Sequence, residues 1–132
     1  MAAATAQRQR TILVVEDNEQ NMELVGFLLE EAGFRVLGAR DALSARIEFR
    51  RGQPDLVLMD MHLPGRDGLS LVREFRLDPM GASTPIVALT AHAMRGDRER
   101  FLSGGCDGYL SKPIDPSTFV SAVAAYLEAR KR

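Results

Sequence analysis

Five polar residues, each at the end of an apolar run, have side chains suited to handling a phosphate group or a hard metal ion. They are Glu16, Asp17, Asp60, Thr90 and Lys112. Carboxylates without clustered histidine or cysteine favour Mg²⁺ over zinc or copper. An aspartate such as Asp60 can attack a phosphoryl group to form an acyl phosphate, while an ammonium and a hydroxyl stabilise the transferring oxygens. These residue types therefore predict phosphoryl chemistry with Mg²⁺ as the cofactor and Asp60 as the nucleophile.

The apolar runs themselves are typical of buried strands, and amphipathic stretches alternate with them about five times, which predicts an α/β fold. The predicted strands are Thr11–Val15, Phe34–Ala39, Leu56–Met59, Ile86–Leu89 and Gly108–Ser111. Short right-handed crossovers favour a flavodoxin-like, doubly wound, five-stranded parallel sheet of order 2-1-3-4-5 with five helices. Ligands of such sheets bind beyond the carboxyl ends of the strands. We therefore expect the five polar side chains to meet at that edge.

Four of the five predicted helices begin after a residue that is a good N-cap. The caps are Asn18, Asp41, Asp67 and Asp115, the first three helices end near Ala32, Gly52 and Leu77, and the last has Pro116 at its first helical position. The other helix, near Arg95–Ser103, has few apolar anchors and contains Gly96, so we expect it to be marginal and mobile. Met61–Arg66 is expected to form a loop.

The overall composition is that of a single globular domain. The chain has 132 residues, with 17 basic and 18 acidic side chains, a balance that indicates neither nucleic-acid nor membrane binding. Residues 1–9 are expected to form a disordered arm and residues 10–130 the domain. Because Cys106 is the single cysteine, an internal disulfide is excluded, which fits a reducing compartment, and we expect a cytoplasmic protein. Cys106 itself is expected to be a small side chain that fills space in the core.

Four segments resemble the signatures of two-component response-regulator receiver domains, a bacterial signalling family with a CheY-like fold. They are Val14–Asn18, Leu58–Gly68, Ala88–Ala93 and Gly108–Pro113. The resemblance covers residues 10–130, nearly the whole chain, and the four motifs together are highly specific.

The resemblance implies that Asp60 accepts a phosphoryl group from a phosphohistidine on a histidine kinase or a histidine phosphotransfer protein. Asp17, Asp60 and the backbone carbonyl of His62 would ligate Mg²⁺ directly. Glu16 would act through water, and it departs from the family, which more often has Asp at this position.

The resemblance also assigns roles around the phosphate. Thr90 would move toward it, Lys112 would pair with it, and Tyr109 would be the aromatic side chain that changes rotamer. The Lys112–Pro113 peptide bond is cis in the family, and the small Ala91 leaves room for the donor. His62 and His92 would either tune the lifetime of the acyl phosphate or be exposed loop residues.

Taken together, the sequence favours a stand-alone phosphorylation switch, a monomer or weak dimer that promotes only its own phosphorylation and dephosphorylation. Its output would be a protein target bound by helix four, strand five and helix five.

A receiver cut from a hybrid histidine kinase is the alternative. A metal-dependent aspartyl phosphatase is less favoured because His62 stands where that class has a second aspartate. A flavin or nucleotide module is disfavoured by the acidic, glycine-free first loop at Glu16–Glu19.

Overall fold

The computed structural model of the chain describes residues 9–91 and 96–130, and five parallel strands form one sheet within them. The strands are β1 (Thr11–Val15), β2 (Arg35–Ala39), β3 (Leu56–Asp60), β4 (Ile86–Thr90) and β5 (Gly108–Ser111). Their order across the sheet is β2-β1-β3-β4-β5. The flavodoxin-like order predicted from the sequence is confirmed.

The three central strands are buried on both faces, as their unbroken apolar runs predict. Every residue of β1, β3 and β4 is buried. The register places Val15 opposite Met59, and Asp60 opposite Leu89. The carboxyl ends of these strands are therefore level with one another, so the residues that follow them share one edge of the sheet.

Five helices cover the two faces of the sheet within the described residues. They are α1 (Glu19–Glu31), α2 (Ala42–Gly52), α3 (Gly68–Leu77), α4 (Asp97–Ser103) and α5 (Phe119–Arg130). One core cluster contains Phe49 of α2, Phe75 of α3 and Phe101 of α4. The other contains Leu29 of α1 and Val123 of α5. Each helix thus buries its apolar side against the sheet, which is the doubly wound arrangement.

Three of the expected helix caps are confirmed. The side chain of Asn18 accepts a hydrogen bond from Asn21 N at 2.9 Å, and that of Asp67 accepts one from Leu69 N at 3.1 Å. Asp41 accepts from Ser44 N at 2.8 Å, and the Ser44 side chain in turn accepts from Asp41 N. These caps satisfy backbone donors that the helices cannot.

Two helix starts differ from the sequence prediction. The side chain of Asp115 does accept a hydrogen bond from Ser117 N at 3.0 Å, but α5 begins only at Phe119, so Pro116 lies in a preceding turn. α4 begins at Asp97, and Gly96 precedes it with a φ of 94° instead of lying inside the helix. Glycine adopts this left-handed conformation without the steric cost of a Cβ, so Gly96 marks the start of α4. The mobility of α4 stays a prediction.

The segment predicted to be a loop after β3 contains a short antiparallel hairpin, residues 62–67. His62 pairs with Asp67 and Leu63 with Arg66, around a turn in which Gly65 has a φ of 69°. Strands of two residues leave no periodicity in a sequence, so the loop prediction could not reveal them. In the part of the chain that is described, no helix has the length and hydrophobicity needed to span a bilayer.

Candidate functional site

Three carboxylates converge at the carboxyl edge of the sheet. Glu16 directly follows β1 and Asp60 ends β3, and their side chains are 1% and 2% exposed, whereas Asp17 is exposed to solvent. One ligand oxygen from each of the three lies within 4.8 Å of the others. The adjacent strands β1 and β3 thus bring chain-distant acids to one point, as the predicted topology requires.

Lys112 completes this cluster with the opposite charge. Its backbone N–H donates to Thr90 O at 2.8 Å just beyond β5, and the Lys112–Pro113 peptide bond is cis. The ammonium Nζ lies 2.8 Å from Glu16 Oε1 and 3.4 Å from Asp60 Oδ1. Lys112 therefore lies on the same rim as Asp60 and neutralises part of its charge.

Two backbone N–H groups orient the buried carboxylates, and the sequence argument did not anticipate either. Asn18 N donates to Glu16 Oε2 at 3.1 Å, and His62 N donates to Asp60 Oδ1 at 3.0 Å. Both are local bonds from a residue two positions further along. An Asp or Glu at the start of a turn is the available sequence signal for such bonds.

Ionisation of the cluster is set by burial and by these neighbours. Burial alone would raise the pKa of Asp60, but the His62 N–H and the charge of Lys112 outweigh it, and the pKa lies below its ordinary value. Burial raises the pKa of Glu16, and the nearby charge of Asp60 adds to the rise. Burial opposes the charge of Lys112 as well, yet contacts with both carboxylates raise its pKa. Asp60 is therefore held as a carboxylate beside an ammonium.

The donor set fits a hard divalent cation. All three clustered side chains offer oxygen, without histidine or cysteine among the ligands, which is the chemistry of Mg²⁺ sites. Glu16 Oε1 is buried, and it lies 2.8 Å from the ammonium Nζ of Lys112 in an ion pair. The buried carboxylate of Glu16 next to the exposed carboxylate of Asp17 suits an ion that keeps some of its water.

The other residues singled out in the sequence lie within the described part of the chain, with one exception. Thr90 is 1% exposed and follows Leu89, the residue opposite Asp60. Tyr109 is partly buried on β5, with its ring centroid 6.2 Å from that of Phe101 in α4. Ala91 and His62 are exposed. His92 falls outside the described residues, and a lifetime-tuning role for either histidine stays a prediction.

Gly68 is a contributor to the site that sequence reasoning missed. A Cβ at this position would lie 2.5 Å from Asp60 O and 2.8 Å from Met61 Cα, both backbone atoms. Only glycine lets the start of α3 approach the end of β3 so closely. The available signal was a glycine directly after a helix-capping aspartate, where a better helix former is usual.

Cys106 has no part in this chemistry. It is buried, and burial raises the pKa of its thiol to about 12. The thiol is therefore protonated at neutral pH, consistent with a structural filler.

Comparison with known proteins agrees with this geometry. A sequence model of the response regulator receiver domain matches residues 12–124. The polar-differentiation response regulator DivK of Brucella anthropi is 40% identical over 118 residues, which cover 89% of this chain and 96% of that protein. DivK of Brucella ovis matches equally well. These relatives are matched over almost their whole length.

Solved structures give the same result. The receiver domain of the sensor histidine kinase PA1611 from Pseudomonas aeruginosa, solved with a magnesium ion coordinated in its active-site cleft, is 36% identical. The match covers 92% of this chain and 99% of the PA1611 receiver chain, with a TM-score of 0.82. The chemotaxis regulator CheY4 of Vibrio cholerae, at 24% identity and a TM-score of 0.85 over 90% of this chain, shows the shared fold alone. Motifs, fold and relatives coincide, and the chain belongs to the response regulator receiver domain family of two-component signalling.

Proposed function

We propose that this receiver domain is a phosphorylation switch in which Asp60 accepts a phosphoryl group from a phosphohistidine of a partner protein. The observation that carries the proposal is the Asp60 carboxylate, buried and ionised, with the ammonium of Lys112 at 3.4 Å and two further carboxylates within 4.8 Å. The partner would be a histidine kinase or a histidine phosphotransfer protein. Such a partner and this domain would meet in the cytoplasm.

In the transfer step, a carboxylate oxygen of Asp60 attacks the phosphorus atom. The P–N bond to the partner's imidazole breaks, and its electron pair stays on the ring nitrogen, so that an acyl phosphate forms on Asp60. The lowered pKa of Asp60 means that no proton has to leave before the attack. Lys112 would pair with the oxygens of the transferring group, and the hydroxyl of Thr90 would donate to them.

Glu16, Asp17, Asp60 and the backbone carbonyl of His62 are the groups that would hold Mg²⁺. The bound ion would supply positive charge that offsets repulsion between the carboxylates and the incoming phosphate. Glu16 reaches one methylene further than an Asp and is fixed by Asn18 N and Lys112. We therefore propose that it contributes through water and not by direct ligation.

The output of the switch would be the face formed by α4, β5 and α5. Tyr109 on β5 contacts Phe101 of α4, and β5 pairs with β4 such that Ser111 lies opposite Thr90. A shift of Thr90 toward a phosphate would therefore reach Tyr109 through adjacent strands. A protein target that prefers one arrangement of this face would read the phosphorylation state.

The test is phosphorylation by a small-molecule donor in the presence of Mg²⁺, followed by intact-protein mass spectrometry. The wild type is expected to gain the mass of one phosphoryl group, and Asp60→Asn to gain none, because an amide is a poor nucleophile for phosphorus. Asp41→Asn is the matched control, since it makes the same change at an exposed helix cap where Asn serves as well as Asp. Equal labelling of wild type and Asp60→Asn would end the proposal.

A second architecture has a specific observation in its favour. The PA1611 receiver belongs to a sensor histidine kinase, so a receiver of this kind also occurs within hybrid kinases. The intact mass of the native gene product distinguishes a stand-alone regulator from a domain of a longer protein. The chemistry proposed at Asp60 is the same in both.

A further inference from the structure

The hairpin at residues 62–67 is attached to the phosphoacceptor at one end and to α3 at the other. At the first end, His62 N donates to Asp60 Oδ1 at 3.0 Å. At the second, Arg66 Nε donates to Ser70 Oγ at 2.9 Å, and a terminal nitrogen of Arg66 donates to Glu74 Oε1 at 2.8 Å. The two ends are joined by the antiparallel pairing of His62 with Asp67 and Leu63 with Arg66.

Glu74 is itself held in place from a second direction. Arg46 of α2 donates to both of its carboxylate oxygens, through Nε to Oε2 and through a terminal nitrogen to Oε1 at 3.2 Å. The two guanidinium groups hold the pKa of Glu74 below its ordinary value. The carboxylate of Glu74 therefore joins α2, α3 and the hairpin, and it stays charged at neutral pH.

The hairpin has further contacts in the core and at its ends. Leu63 is 6% exposed and packs in the core, and Gly68 N donates to Met61 O at 3.2 Å, but His62, Pro64 and Gly65 are exposed. At its far end Asp67 accepts from Leu69 N at 3.1 Å through its side chain and from Ser70 Oγ at 2.7 Å through its carbonyl, and Arg66 adds the bonds to Ser70 and Glu74 from within the hairpin. Loss of the Arg66 bonds would weaken the attachment to α3 of a ribbon with only two residue pairs, and a ribbon this short is not stable by itself.

We propose that Arg66 is a positioning residue for the phosphoacceptor. By binding Ser70 and Glu74 on α3, it keeps the hairpin in the arrangement that holds the His62 N–H on Asp60 Oδ1. The same arrangement would hold the His62 carbonyl that we propose as a Mg²⁺ ligand, so Arg66 would also affect the affinity for Mg²⁺. This second effect rests on the proposed function, whereas the effect on the His62 N–H does not.

The decisive measurement is amide hydrogen exchange, followed by NMR in metal-free protein. In Arg66→Met, the His62 amide is expected to lose about tenfold in protection relative to amides of the central strands. The reason is that the hairpin can then open, and expose this amide, without first breaking the bonds of Arg66 to Ser70 and Glu74. Arg50→Met is the matched control: it removes the ion pair between Arg50 of α2 and Asp78 after α3, at 3.1 Å, which does not touch the hairpin. Protection of His62 should be unchanged in this control.

Glu74→Gln provides a second route to the same answer should Arg66→Met not fold, with a smaller loss of protection expected at His62. Unchanged protection at His62, or an equal loss at all amides, would overturn the inference.

Titration of each folded variant with Mg²⁺, followed by the same amide signals, separates the two proposals. We expect Arg66→Met to bind Mg²⁺ about threefold more weakly than Arg50→Met. Absence of Mg²⁺ binding in the wild type would count against the proposed function, and the exchange result would still decide the role of Arg66.

Discussion

At the scale of single residues, the site depends on opposite charges buried together. Asp60 and Glu16 are almost inaccessible to water, and Lys112, 16% exposed in its side chain, lies between them. Burying charges is costly unless they are paired. Lys112 therefore has a structural role, offsetting the repulsion of two carboxylates, in addition to the role we propose in phosphoryl transfer.

Removing this ammonium should destabilise the domain in a pH-dependent way. Lys112→Met is expected to lower the free energy of unfolding by about 3 kcal/mol at pH 7, because it leaves two carboxylates buried without a partner. Without Lys112 the pKa of Glu16, already raised by burial, rises further, and that of Asp60 is expected to rise above its value in the unfolded chain, so the folded state binds more protons. The loss of stability should therefore shrink as the pH falls from 7 toward 4.5, as urea unfolding at the two pH values can measure. A pH-independent loss would show that the ammonium has no such role.

At the scale of elements, the position of each helix is decided by a few close contacts. α3 illustrates this at both of its ends. Near its start, Gly68 approaches the backbone of β3, and near its end, Arg76 reaches across to segments beyond the helix. Arg76 donates to the carbonyls of Gly81, Thr84 and Gly105, and to Asp107 Oδ2 at 2.9 Å.

The approach of α3 to β3 can be tested with two glycine substitutions of opposite expected sign. Gly68→Ala should destabilise the domain, because its Cβ would lie 2.5 Å from Asp60 O and a backbone shift is needed to relieve the clash. Gly26→Ala, inside α1 with no heavy atom within 4 Å of the added Cβ apart from its own neighbouring stretch of helix, should stabilise it by about 1 kcal/mol. Thermal unfolding followed by circular dichroism measures both. Similar effects of the two substitutions would contradict the close approach.

The bonds of Arg76 give a second prediction at this scale. Arg76→Met should lower the free energy of unfolding by about 3 kcal/mol, because several carbonyls and a carboxylate lose a charged donor at once. Arg73→Met changes an exposed arginine on the same helix and should alter stability by less than about 0.5 kcal/mol. Chemical denaturation of the two variants provides the comparison. An equal effect of both substitutions would show that the hydrogen bonds of Arg76 do not stabilise the domain.

At the scale of the whole molecule, strands that are distant in sequence become neighbours, and binding at their shared edge is linked to folding. An ion bound by Glu16 and Asp17 after β1 and by Asp60 at the end of β3 would bind the native state and not the unfolded chain. Occupancy of the carboxylate cluster should therefore raise the stability of the entire domain.

Magnesium should accordingly increase the unfolding temperature of the wild type. A concentration of about one hundred times the dissociation constant corresponds to a gain of about 2.7 kcal/mol. Asp17→Asn is expected to remove most of this gain while costing little stability in the absence of the ion, because Asp17 is exposed. Differential scanning calorimetry with and without Mg²⁺ measures both effects. An undiminished gain in Asp17→Asn would place the ion elsewhere.

The sequence alone determined the order of strands, the helix caps at Asn18, Asp41 and Asp67, and the grouping of Glu16, Asp17, Asp60 and Lys112 at one edge. These features depend on local capping chemistry and on hydrophobic periodicity, combined with general rules for parallel sheets. They can be read without knowing any distance between atoms.

Only the tertiary structure decided which atoms touch. Three contacts are examples, each between atoms only a few ångströms apart. They are the bond from His62 N to Asp60, the close approach of Gly68 to the backbone of β3, and the joining of Arg46 and Arg66 through Glu74. The hairpin and the late start of α5 likewise involve too few residues to leave a periodic pattern. Such contacts depend on backbone positions that hydrophobic periodicity does not specify, because the same pattern is compatible with shifts of several ångströms.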